Sequence, residues 1–183
     1  METSTLNEEE LISDKLKNVI EEYYQFGGEE MCEALLQFLQ NNDCREVIGK
    51  CVDGDDIANA FVWAGYRNHS DVLEAFLKQG MNIDTKNIHC EIALFGASYN
   101  CNEVSVRLLI KHNANPNLQE NSGWTALMGA SSRGHKEIVQ LLLDHNADID
   151  LKNNDGNTTA DLAASKEIKE MIQNRVNTSY VLK

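Results

Sequence analysis

Apolar positions recur along this chain in two rhythms. Near the start, Ile12, Leu16, Val19, Ile20 and Tyr23 stand at i, i+4, i+7, i+8 and i+11. That spacing lines one face of an α-helix and predicts an amphipathic helix over Asn7–Phe26. Gly27 and Gly28 break it, a second helix over Glu29–Gln40 carries Met31, Leu35, Leu36, Phe38 and Leu39, and a short third around Arg45–Val52 leads onward. From there the helical spacing comes in blocks. Ala93-Leu94 matches Ala126-Leu127, Leu108-Leu109-Ile110 matches Leu141-Leu142-Leu143, and Asn113–Asn117 matches Asn146–Asp150, all at a shift of 33 residues without a gap. A second shift of that length lands on Ala60-Phe61, His69, Val72-Leu73, Phe76-Leu77 and Gly80–Asp84. Such a period marks stacked units, none of which buries its apolar face alone.

Each block is coherent as local physics. The Thr125 hydroxyl is suited to cap a short helix carrying Leu127 and Ala130. Gly134 is free to take the left-handed conformation that ends that helix before His135 opens the next. A second helix, Glu137–His145, packs Ile138, Leu141 and Leu142 at helical spacing, and Asn146 or, one block earlier, Gly80 supplies the turn after it. In the slot of Gly134 the other blocks hold Asn68 and Cys101. Asparagine adopts the turn at small cost; cysteine does so less readily, so Asn100 or Asn102 is expected to adjust that turn.

Block Ser122–Asn154, with Gly123-Trp124-Thr125-Ala126-Leu127, Gly134-His135, Ile138–Leu143 and Asn146-Ala147-Asp148, resembles the ankyrin repeat family, departing from its pattern at Ser122, Ala126, Met128 and Asn146. The resemblance covers roughly Asp53–Gln173 and implies an all-α ankyrin-repeat solenoid, built of helix-turn-helix units with hairpin loops and a helical N-terminal cap. The expected organisation is an acidic helical capping region over 1–52, repeats over 53–173 (56–88, 89–121, 122–154 and a truncated 155–173) and a tail over 174–183. Every solenoid must cover the apolar end of its first unit. The alternative for the Ile12–Tyr23 face is to dock a partner or a second copy as a helix in a groove. Thr3–Leu6 and the tail look unanchored.

Charge narrows the partners. Ten acids and two lysines within residues 1–34 give a local balance of −8 out of −13 for the chain, and the sequence pI is near 4.7. That excludes the basic stripe nucleic acid requires and favours a basic partner surface. With no apolar run of membrane-spanning length and no basic-then-apolar start, the expected address is cytoplasmic, with no membrane role. Sequons at Asn68, Asn157 and Asn177 then have no compartment in which to act. The five cysteines (Cys32, Cys44, Cys51, Cys90, Cys101) are odd in number, lack zinc spacing and read as reduced, partly packed thiols.

No catalytic, cofactor or metal site emerges. Gly129–Lys136 has His135 where a phosphate loop needs lysine, and the Asp150–Gly156 stretch puts Leu151 and Leu162 at calcium-ligand positions. What remains is a surface. The resemblance implies that the residue before each Thr-like slot and the pair before each Gly-like turn face the concave side. Those places hold Ala58, Tyr66 and Arg67, then Glu91, Tyr99 and Asn100, then Trp124, Ser132 and Arg133, with Ile88 and His89 at the neighbouring hairpin tip. Candidate protein-binding residues are therefore Tyr66, Arg67, His89, Glu91, Tyr99, Trp124 and Arg133, rich in the types that carry binding energy. Trp63, one turn inward, is expected in core or half-buried packing. The resulting expectation is a non-catalytic interaction module, an adaptor, inhibitor or scaffold, acting as a monomer on a folded protein. Two alternatives are a host-directed effector of an intracellular bacterium or virus and, more remotely, an enzyme with an unrecognised site.

Overall fold

The computed structural model describes residues 8–26, 29–52 and 54–181; the Gly27-Gly28 break and Thr3–Leu6 lie outside them. The chain runs through α1 (Glu8–Phe26), α2 (Glu29–Asn41), α3 (Arg45–Gly49), α4 (Asp56–Tyr66), α5 (Ser70–Lys78), α6 (Ala93–Tyr99), α7 (Glu103–Lys111), α8 (Ala126–Arg133), α9 (Lys136–Asp144), α10 (Thr159–Leu162) and α11 (Lys166–Val181). Among the described residues there is no strand, only an isolated antiparallel bridge between Lys86 and Ile92.

The helices form two rows. In the inner row α4 packs on α6, α6 on α8 and α8 on α10; in the outer row α5 packs on α7, α7 on α9 and α9 on α11. Phe61, Leu94 and Leu127, at 0, 2 and 0 % exposure, occupy the same berth in successive layers. The outer row repeats this with Phe76, Leu109 and Leu142, all buried. The all-α solenoid that the resemblance implied is the fold the chain adopts.

The N-terminal helices join the rows in the same order, α1 against α4 and α2 against α5. Leu16, Ile20 and Tyr23 are buried, with Ile12 and Val19 packed beside them, so the periodic face of α1 is turned inward. One side-chain slot shows how closely α1 imitates an inner helix. His69, Asn102 and His135 each stand just before an outer helix and reach back one layer. Asn102 donates its Nδ2 to the carbonyls of Gly65 (2.9 Å) and Tyr66 (2.8 Å), and His135 Nε2 lies 3.1 Å from the Tyr99 carbonyl. His69 Nδ1 meets the Tyr23 hydroxyl of α1 at 2.8 Å.

The turn between the helices of a unit is left-handed in every full unit, at Asn68 (φ 61°), Cys101 (φ 60°) and Gly134 (φ 85°). Asn100 and Asn102 keep negative φ, which corrects the expectation that one of them would absorb the turn. The next residue's N–H always returns to the same inner-helix position, His69 to Ala64, Asn102 to Ala97 and His135 to Ala130, at 2.9 to 3.0 Å. That closure demands positive φ at the slot whatever residue fills it, at a cost of about 1 kcal/mol for cysteine. Gly80 and Asn146 take the later turn, as expected, at φ 88° and 61°.

Two boundaries differ from expectation. The Asp55 carboxylate accepts from the Ala58 N–H at 2.7 Å and starts α4 about a turn early, so Ala58 lies inside a helix, fully buried, and not on an open face. In the fourth unit a capping box of Thr158 and Asp161 opens α10, and α11 continues through residue 181, beyond the expected end at 173. Residues 182 and 183 lie outside the described residues. No helix among the described residues is long and apolar enough to cross a membrane.

Candidate functional site

The loops between units are pinned by one periodic device. Asn87, Glu120 and Asn153, 33 residues apart, each accept with a side-chain oxygen from the N–H groups two and four residues ahead. Asn87 Oδ1 holds His89 and Glu91, both at 2.9 Å; Glu120 Oε1 holds Ser122 and Trp124, both at 2.9 Å; Asn153 Oδ1 holds Asp155 at 3.1 Å and Asn157 at 2.9 Å. Between them Cys90, Gly123 and Gly156 turn with φ of 58°, 78° and 82°. Successive loops are tied as well, Asn115 N–H to Asp84 at 3.0 Å and Asp148 N–H to Asn117 at 2.7 Å. Glu91 and Trp124 therefore project from backbone with little freedom to move.

The inner helices supply the rest. Thr125 caps α8 through Met128 N–H at 3.2 Å, whereas Ile92, in the same slot of α6, offers no side-chain cap. The Tyr66 ring lies flat on α6 where a side chain on Gly96 would stand. A Cβ on Gly129 would come within 3.3 Å of the Phe95 ring and 3.6 Å of Tyr99, so the next aromatic pair is seated the same way. Phe95 and Tyr99 stack with centroids 5.8 Å apart, and the Arg133 guanidinium stands 4.5 Å from the Tyr99 ring.

Three adjoining depressions result. Tyr66, Glu91, Tyr99 and Trp124, four of the sequence-nominated residues, line a central one of about 410 Å³ together with Phe95 and Glu120. Tyr99 and Arg133 line a second, about 330 Å³, and Glu91 and His89 a third, about 340 Å³, beside Tyr24 and Trp63. Arg67 lines none of them and stands 4.9 Å over the ring of Trp63, which is half-buried as expected. Phe95, Glu120 and the glycine seats escaped the sequence reading. The signal for Glu120 was its place 33 residues after Asn87 and four before Trp124.

The central depression is electronegative. Tyr66 donates its hydroxyl to Glu91 Oε1 at 2.8 Å, and Asn87 Nδ2 donates to Glu91 Oε2 at 2.8 Å. Burial first, then the bond to Glu91 and the negative charges of Glu91 and Glu120, push the Tyr66 phenol well above its ordinary range. It remains a protonated donor at any ordinary pH.

None of the five cysteines is in a disulfide. Burial pushes the Cys32 thiol up to about 11 and raises Cys44 too, which leaves them poor nucleophiles. Cys90 and Cys101 are exposed rather than packed. Among the described residues no group of three or more His, Cys, Asp or Glu side chains is placed to hold a metal ion.

A comparison with curated proteins finds no match. Residues 94–174 match the family model described as ankyrin repeats (3 copies). The unit formed by α4 and α5 precedes that span, yet fills the same berths with Phe61 and Phe76. Over residues 94–174 the chain therefore carries ankyrin repeats, which are protein–protein interaction modules.

Proposed function

We propose that this chain is a non-catalytic binding module whose groove, between the loops and the inner helices, docks a folded protein in the manner of an adaptor, inhibitor or scaffold. One observation carries the reading: aromatic side chains from three successive units, Tyr66, Phe95, Tyr99 and Trp124, line a single depression. Clustered aromatics of this kind, here three half-buried and Phe95 buried, are where binding energy concentrates. Their seats on Gly96 and Gly129 and the pinned loops fix them before a partner arrives, which lowers the ordering cost of association. Tyr66, Glu91, Tyr99 and Trp124 form the centre of this surface, with Arg133 and His89 at its flanks and Arg67 behind Trp63. The N-terminal helices act as the cap of the first unit.

The test is affinity capture followed by measurement of the isolated complex, with the double variant Trp124→Ala/Tyr99→Ala as control. Each anchor is expected to contribute about 2 kcal/mol, so the double variant loses the partner while its helical circular dichroism is unchanged. Undiminished binding by the double variant rejects this surface.

A further inference from the structure

We propose that the central depression is an arginine-reading cup, in which Tyr66, Phe95, Tyr99 and Trp124 provide ring surface and Glu91 and Glu120 provide the charge that receives a guanidinium from a basic segment of the partner. The proposal rests on the groove reading above and names what the groove recognises.

Three features carry it. The first is composition: four aromatic rings and two carboxylates line one space of about 410 Å³, the combination that attracts a cation to ring faces while neutralising it at the rim. The second is unspent charge. Among the described residues neither Glu91 nor Glu120 is within ion-pair distance of a lysine or arginine. Their hydrogen bonds come from neutral groups, the Tyr66 hydroxyl and Asn87 amide for Glu91, and the Ser122 and Trp124 backbone N–H for Glu120. Both Glu120 bonds fall on Oε1, so Oε2 takes no hydrogen bond among the described residues. Two like charges held beside one tyrosine, in a chain of net charge −13, leave a field that a cation relieves. The third is precedent beside the cup: Arg133, from the adjoining depression, lays a guanidinium on Tyr99, one of the cup's own rings, and Arg67, which lines none of the depressions, does so on Trp63.

Arginine fits better than lysine. A planar guanidinium stacks on rings while its edge donors reach carboxylates on two sides, and it is more weakly hydrated than a compact ammonium, which must shed a tighter water shell to enter.

The probe is a short capped peptide of glycine and serine with one central arginine, titrated into the full-length chain labelled with 15N. Parallel titrations use the same peptide carrying lysine, or neutral citrulline. The chain has two tryptophans, so the indole N–H signals separate the cup from its surroundings. Binding is expected to shift Trp124 and leave Trp63 in place, with lysine weaker by about fivefold and citrulline silent. Glu91→Gln/Glu120→Gln keeps one oxygen to accept from Tyr66 and one for the Ser122–Trp124 loop while giving up the bond from the Asn87 amide to Glu91 Oε2, and is expected to weaken the arginine peptide by about tenfold or more. No shift of Trp124 at about 10 mM arginine peptide, equal binding of citrulline or lysine, or undiminished binding by the Gln/Gln variant overturns the proposal. The two readings separate on a captured partner. If Gln/Gln binds it normally while Trp124→Ala/Tyr99→Ala does not, the groove stands and the arginine cup falls; if both bind normally, both fall.

Discussion

The contact between the N-terminal helices and the first unit does the same job as the contacts between units, by different means. Between units the approach is close and directed by backbone. Gly65 brings α4 so near α6 that an added Cβ would lie 2.7 Å from the Ala93 carbonyl, and bonds such as Asn102 to Gly65 and Tyr66 end on main-chain oxygens. At the N-terminal contact the filling is large side chains, Leu16, Ile20, Tyr23, Leu35 and Leu39, all essentially inaccessible. Its polar ties are mixed: Tyr23 meets His69 side chain to side chain, while Gln79 donates to the Leu39 and Asn42 carbonyls at 2.7 and 2.9 Å, ending on main-chain oxygens as Asn102 does between units. A repeated interface fixes backbone geometry that successive sequences can reuse, whereas a unique one relies on the volume of particular residues.

The largest expected effect breaks the unique interface. Tyr23→Ala removes a fully buried ring and leaves a cavity, with an expected loss of about 3–5 kcal/mol in urea unfolding. A loss under about 1 kcal/mol would mean that α1 adds little to the stack. Next comes the repeated interface. Gly65→Ala adds one carbon against rigid backbone, with an expected loss of about 1–3 kcal/mol, because no side chain can swing aside. Neutral behaviour would show the spacing of α4 and α6 to be adjustable.

The smallest effect sharpens the comparison by pH. Burial, with a smaller push from Arg67 and against the pull of Asp71, lowers the pKa of His69 below its ordinary value of 6.5. Above that pH His69 is neutral in both folded and unfolded chains and contributes no pH dependence. As pH falls below 6.5 the unfolded chain takes up a proton that the folded one resists, so stability falls until the folded His69 also titrates. Thermal melts of wild type and His69→Asn across pH 7 to 5 are expected to differ in slope, the variant being the flatter. Parallel slopes would remove His69 as the cause.

The layers were readable in the sequence because Phe61, Leu94 and Leu127 face the same environment and their chemistry repeats with it. The left-handed turns at Asn68 and Gly134 were readable for the same reason. Cys101 was misread because residue preference was weighed locally, while the Asn102 to Ala97 bond that dictates the turn belongs to the unit as a whole. The early start of α4 hid behind the period, since Asp55 is a cap that the later units do not share. At the groove, Tyr66, Glu91, Tyr99 and Trp124 were legible as the slots that the ankyrin resemblance places on the concave side, and they come together in one depression. Glu120 and the glycine seats were not, because their meaning lies in contacts with the next unit, which sequence spacing does not display.

Those seats have a consequence for how such a chain can change. The shelf beneath Tyr66 is Gly96, and the one beneath Phe95 and Tyr99 is Gly129; three of the four rings lining the depression are laid by one module and grouted by the next. Swapping a single module would strand the neighbour's aromatic on a bump or over a void. A tolerated exchange is therefore expected to span two neighbouring modules at once.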